Sequence, residues 1–146
     1  MNESGKLDPV EIEAWARLLK ASAKVVVAVE RDLKAAGLPP LGWYDALLEL
    51  HRAGAGGLRP GDLEREMLLP QYNVSRLIDR LEAAGYAERR AHPVDGRGQL
   101  LQITGAGVEL IQRMWRVYRT AIAREFALKL GKGDAGRLAE LLKRLL

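Results

Sequence analysis

The sequence predicts a mostly helical fold that carries one small β-hairpin. Glycine and proline cluster at Gly37–Pro40, Gly54–Gly57, Gly85, Pro93–Gly98, Gly105/Gly107 and Gly131/Gly133, cutting the 146 residues into six helix-like pieces and one strand-bearing piece. Within the helix-like pieces apolar residues recur with helical period, whereas residues 87–103 flank an Asp95-Gly96 turn with short alternating runs. A chain of this length is the size of one ordinary domain.

The first piece spans about Pro9 to Ala36. Asp8 precedes a proline at the first helical position and an acid, Glu11, three residues on, which is a helix-start signature; Gly37 is the stop. At 1.5 Å per residue this helix is about 42 Å long. A globule of this size has a radius of gyration of about 15 Å, so such a helix belongs to a partner interface or an elongated fold. The second piece (about Trp43 to Ala53) buries Ala46, Leu47 and Leu50, and the third (about Pro60 to Met67) carries Leu63 and Met67. The fourth runs from near Pro70 to Ala84, with Val74, Leu77, Ile78 and Leu81 at i, i+3, i+4, i+7 as one buried stripe. Ala87–Ala91 and Gln99–Ile103 form a two-stranded hairpin with a basic tip, which must pack on the helices to be stable. Thr104 caps a fifth helix reaching about Leu130, and Asp134 caps a sixth with the stripe Leu138, Leu141, Leu142 and Leu145.

Composition narrows the function. The chain is 48% hydrophobic and 29% charged, with no cysteine and two histidines, His51 and His92. That excludes disulfides, thiol chemistry and a cysteine zinc site, and leaves no basis for expecting a metal centre or cofactor. No apolar run approaches the roughly 20 residues of a membrane span, and polar Met1–Asp8 predicts no signal-peptide core, so the expected compartment is the cytoplasm. No catalytic residue is predicted. The three serines sit in no triad-like context, there is no HExxH and no Walker loop, and the acid pairs Glu64/Glu66 and Asp79/Glu82 read as solvated helix faces. The net charge of +4 is uneven: 0 over residues 1–40, −2 over 41–69, +1 over 70–103 and +5 over 104–146. It permits a polyanionic partner without establishing one.

The order short helix, tight turn, helix, basic hairpin reads as a winged helix-turn-helix. A helix fits the DNA major groove, and its exposed face can read base edges. On the fourth helix that face carries Gln71, Tyr72, Asn73, Ser75, Arg76 and Arg80. Gln and Asn suit adenine, Arg suits guanine or phosphate, and the Tyr72 and Ser75 hydroxyls suit phosphate oxygens. Any solvated helix face is polar, so the sequence order, more than the face, supports this reading.

Residues 41–107 resemble the core of the MarR family, the multiple-antibiotic-resistance regulators. Asn73–Arg90 is similar to that family's recognition helix and exit, and Asp95-Gly-Arg97 followed by Gln102–Gly107 to its wing signature, with Ile103 where Leu is usual. Pro70 and Tyr72 stand where small hydroxyl residues are common. The resemblance implies a homodimeric transcription regulator made of one domain, residues 1–146. Helices within 8–40 and 104–146 would form the dimer interface, including Leu138, Leu141, Leu142 and Leu145, and residues 41–103 the DNA-binding lobe. Two recognition helices would enter successive major grooves of double-stranded DNA at a pseudo-palindromic operator. Arg97 would be the wing-tip cation in the minor groove, with Arg89, Arg90 and His92 as further candidates. Asp95 would brace the wing, through Arg97 or by pairing with Arg89 or Arg90. Family members often bind small anionic or aromatic effectors between lobe and dimer core. Trp15, Trp43, Tyr44, His51, Arg113 and Trp115 are the candidates here, although Trp15 and Trp115 also suit an interface core and His51 a surface position. Repression is the family default. The alternative is a winged-helix module used for protein–protein contact, but that should show apolar residues where this chain shows Gln, Asn, Ser and Arg.

Overall fold

The computed structural model describes residues 5–70, 73–95 and 98–146. Its elements are α1 (Pro9–Ala35), α2 (Leu41–Ala53), a 3-10 turn (Gly54–Gly56), α3 (Pro60–Glu66), α4 (Val74–Ala83), β1 (Ala87–Ala91), β2 (Gln99–Ile103), α5 (Gly105–Ile122), a π-helical turn (Ala123–Ala127) and α6 (Leu128–Lys143). The mostly helical fold with one hairpin is as predicted. Among the described residues, no helix is long and apolar enough to cross a membrane.

The chain clusters into two compact units, one comprising the residues up to Asp32 with Tyr118–Leu146, the other Leu33–Val117. In the first, α1 starts as the sequence predicts. Glu11 reaches back to accept the Asp8 backbone N–H at 2.8 Å, the reciprocal bond of a capping box. The backbone at Gly131 is non-helical (φ 77°), which breaks the helical run between Leu130 and the C-terminal segment where a boundary is expected. The π turn has no counterpart in the sequence reading. Arg124, within it, donates to Asp32 of α1 at 2.7 Å and to Glu125 at 2.8 Å, and Lys129 reaches Glu125 at 3.1 Å. The Arg124 guanidinium holds the Asp32 carboxyl below its ordinary pKa. Ala14, Trp15, Leu18 and Ala21 of α1 line an apolar groove of about 640 Å³ with Leu138, Leu141, Leu142 and Leu145. Trp15 is 60% and Leu145 70% exposed there.

The second unit has a continuous core. Leu33, Leu47, Leu50, Leu63, Leu81, Leu101, Leu110 and Met114 are fully buried. The α4 stripe Val74, Leu77, Ile78 and Leu81 is buried as its spacing requires. β1 and β2 pair antiparallel from Ala87↔Ile103 to Ala91↔Gln99. Leu58 adds a one-residue third strand, exchanging both backbone bonds with Leu101 at 3.0 and 2.8 Å. Gly57 makes that approach possible, because a Cβ there would lie 2.5 Å from the Leu101 carbonyl oxygen and its φ is +65°.

Thr104 and Gly107 join the hairpin to α5. The Thr104 hydroxyl donates to the Gly85 carbonyl at 2.7 Å and accepts the Gly107 N–H at 3.1 Å, capping α5 while tying it to the exit of α4. A Cβ on Gly107 would overlap the Tyr86 carbonyl oxygen and come within 2.7 Å of Ile103 Cγ1. The Thr-x-x-Gly spacing therefore has a steric cause.

Candidate nucleic-acid interface

The helix-turn-helix begins at Pro60, whose ring suits the first turn of α3. The chain leaves α3 after Glu66 and re-enters a helix at Val74, not near Pro70 as predicted. The physical reason is the cap. Asn73 has extended backbone (φ −148°), and its Oδ1 accepts the Arg76 N–H at 2.9 Å. Asn73, a candidate reader of base edges, is thereby also the N-cap of α4. Gln71 and Tyr72 lie outside the described residues, as do Gly96 and Arg97.

Ser75, Arg76 and Arg80 are exposed on α4, with the two arginines one turn apart. Among the described residues, no carboxylate pairs with either. Arg89 behaves otherwise. Strand alternation puts it on the face of Leu101, its register partner, which is buried. There its guanidinium meets Asp79 and Glu82 of α4, each at 2.5 Å, and its backbone N–H reaches Glu82 at 3.2 Å. Hydrogen bonding to Asp79, with Glu82 beside it, raises the Arg89 pKa further. Arg89, expected as a further DNA-contact candidate, thus acts as a strut between α4 and the hairpin in this structure. Asp79 and Glu82 lie on an exposed helix face, as expected, and from there pair with Arg89. Arg90, on the other face, is paired with Glu88 at 2.6 Å.

The wing turn is built on His92. Its Nδ1 accepts the backbone N–H groups of Val94 at 3.1 Å and Asp95 at 2.9 Å. The Gly98 N–H donates to the Asp95 carbonyl, and the His92 N–H to the Gly98 carbonyl, both at 2.9 Å. His92 is thus an organiser of the turn. Asp95 helps hold the wing through its backbone, while Arg89 and Arg90, its two expected partners in β1, are taken by Asp79, Glu82 and Glu88.

Helix α2 supports this interface through three consecutive side chains. A helix turns about 100° per residue, so neighbours point to different elements. Trp43 meets Tyr86 edge-on with centroids 6.1 Å apart. Tyr44 stacks on Trp115 at 6.2 Å. Asp45, buried, accepts the backbone N–H groups of Leu68 at 2.8 Å and Leu69 at 2.7 Å in the turn before α4. Asp45 was missed from sequence; an acid at position i+4 from buried Leu41 and i−1 from Ala46 was the available signal. A cavity of about 380 Å³ opens beside Trp43, lined also by Pro39, Pro40, Tyr86, Leu110 and Arg113. Of the six effector candidates, Trp43 and Arg113 share this cavity, and Tyr44 and Trp115 share a stack. His51 lies exposed in the last turn of α2, and Trp15 lines the groove of the other unit.

A protein-family model for the MarR family matches residues 36–98. Over 139 residues the chain is 30% identical to the HTH-type transcriptional regulator YkoM of Bacillus subtilis, covering 92% of this chain and 87% of YkoM. AbsC, a MarR family transcriptional regulator from Streptomyces coelicolor, matches with a TM-score of 0.82 at 26% identity, over 96% of this chain and 94% of AbsC. Sco3205, a MarR family regulator of the same organism solved in complex with DNA, has the same fold with a TM-score of 0.85 at 22% identity, over 99% of this chain and 91% of that one. With a YkoM alignment that runs through most of both chains, and with the wing, cap and glycine spacing accounted for, the chain belongs to the MarR family of transcriptional regulators.

Proposed function

We propose that the protein is a sequence-specific DNA-binding transcription regulator. It acts in the cytoplasm as a homodimer at a pseudo-palindromic operator, represses by default and is tuned by a small aromatic or anionic effector. The observation that carries the DNA reading is the contrast among its arginines. Arg76 and Arg80 stand exposed on α4 with no carboxylate partner among the described residues, whereas Arg89 and Arg90 are neutralised by Asp79, Glu82 and Glu88. Arg76, Arg80 and Ser75 face the duplex in this reading, with Arg97 at the wing, where Gln71 and Tyr72 add contacts ahead of α4. The DNA-bound structure of Sco3205, which shares the fold, supports the assignment. The uncovered groove around Trp15, Leu141 and Leu145 supports self-association, within a single regulator domain whose dimerisation helices fall in 8–40 and 104–146. The cavity beside Trp43 and Arg113 pairs an aromatic wall with a cation and suits a small aromatic carboxylate.

Selection of bound DNA from a random pool, followed by anisotropy titration at several salt concentrations, tests the central reading. The expected outcome is one enriched two-fold sequence, with Arg76→Ala weakening binding and making the salt dependence shallower by about 0.9 of a unit in log–log slope. No enrichment, or an unchanged slope, refutes it. Repeating the titration with small aromatic acids tests the effector, and sedimentation of Leu141→Asp tests the dimer.

A further inference from the structure

We propose that Asp45 is a positioning residue for DNA recognition, its buried carboxylate fixing the turn that delivers α4. The proposal rests on the DNA-binding reading above and adds the part that sets its geometry. Among the described residues Asp45 is the one charged side chain in the buried set, at 6% exposure, in a helix whose other buried residues include Leu41, Ala46, Leu47 and Leu50. An apolar residue would be cheaper to bury there; a carboxylate is tolerated only because both oxygens are hydrogen-bonded. Both bonds go to one place, the backbone N–H groups of Leu68 and Leu69, 23 and 24 residues away in sequence. Those amides lie beyond α3 and before α4, so no helix satisfies them. Side-chain packing holds this point only in part, since Leu68 is 76% exposed and Leu69 half-buried. The clamp is delivered from a fixed element, because Trp43 on Tyr86 and Tyr44 on Trp115 set the rotation of α2 in the two residues before Asp45.

Base-edge hydrogen bonds tolerate about 0.5 Å of misplacement, whereas phosphate attraction is far less directional. A loosened turn therefore costs discrimination between operator and other DNA, while non-specific binding persists. Asp45 is buried and spends both oxygens on backbone N–H groups, so it touches no phosphate itself.

Two measurements test this. The first is amide hydrogen exchange on the wild-type full chain without DNA. Leu68 and Leu69 should be protected although they lie in no helix or strand; exchange at the rate of unstructured peptide overturns the proposal. The second uses Asp45→Asn, which preserves shape but accepts one N–H and turns its own amino group on the other. Its expected effect is about tenfold weaker operator binding, the order of one charge-assisted hydrogen bond. Non-specific affinity and salt slope should stay unchanged, and protection at Leu68 and Leu69 should fall while that of Leu77 to Leu81 holds. Retained operator discrimination, or an equal loss of specific and non-specific binding, overturns it. If Asp45→Asn does not fold, the wild-type exchange measurement decides. A wild-type protein that enriches no DNA sequence refutes the regulator reading instead, which keeps the two failures apart.

Discussion

Gly107 gives a sharp test of how α5 is seated. Replacing it with alanine adds one methyl where the Tyr86 carbonyl and Ile103 Cγ1 already stand. Neither is the free end of a flexible side chain, so α5 or the α4–β1 exit must shift. Overpacking of this kind costs about 1–3 kcal/mol. With an unfolding entropy of about 2.1 cal/mol/K per residue, a chain of this length loses about 3 °C of Tm per kcal/mol, so Gly107→Ala should melt about 3–10 °C lower. Two controls fix the sign. Gly105, two residues away, and Gly136, within α6, have open space where a Cβ would stand and no positive φ. Gly136→Ala should gain about 0.5–1 kcal/mol from helix propensity, and Gly105→Ala should be neutral or slightly stabilising. Circular-dichroism melts of all four proteins at one concentration make the comparison. A Gly107→Ala protein as stable as wild type, or a loss of equal size at Gly105, would falsify the steric account of the Thr-x-x-Gly motif.

Asn73→Ala should lose about 1 kcal/mol through the missing cap, whereas Asn73→Ser or Asn73→Asp should retain it in the same melt; a serine variant as unstable as alanine removes the capping assignment. Arg89→Gln should lower stability by about 1 kcal/mol or less, its carboxylate partners being substantially exposed, yet leave the salt slope of DNA binding as it is. Arg80→Gln should make that slope shallower, and the reverse pattern exchanges the roles of the two arginines. Asp32 has a depressed pKa in the folded state, so its contribution is fully present above the ordinary carboxylate pKa near 3.9 and is lost as pH falls through the lower folded value. The Tm gap between wild type and Asp32→Asn should therefore be constant from neutral pH to about 5 and close in stronger acid. A gap that persists at the acid end shows that the Arg124 ion pair is not its source.

The helices and hairpin were legible because their signals are local. The α4 stripe, the Asp8-Pro9 start, the Asp95-Gly96 turn and the break near Gly131 each follow from a few adjacent residues. The capping role of Asn73 is not legible in the sequence, since the same side chain suits both a cap and a base edge, and its φ and its bond to Arg76 appear only in the fold. The Arg89 strut needed the strand register, which places the residue opposite Leu101 and over α4. An acid among the apolar positions of α2 marks Asp45 in the sequence, but its role is not legible there, because its partners are backbone amides more than twenty residues away and amides carry no sequence signature. The same holds for Leu58, whose strand pairing is a matter of main chain alone.

The π turn at Ala123–Ala127 bears on how the gene for such a chain can change length. A π turn accommodates one residue more than an α turn over nearly the same rise. Deleting a codon inside 123–127 would convert it to ordinary helix and leave the residues beyond it facing as before. Deleting one within 105–122 would rotate everything downstream by about 100°. Insertions and deletions of a single residue in this long helical stretch are thus absorbed at one window and disruptive outside it. Orthologous chains that differ by one residue in this helix should carry the difference there.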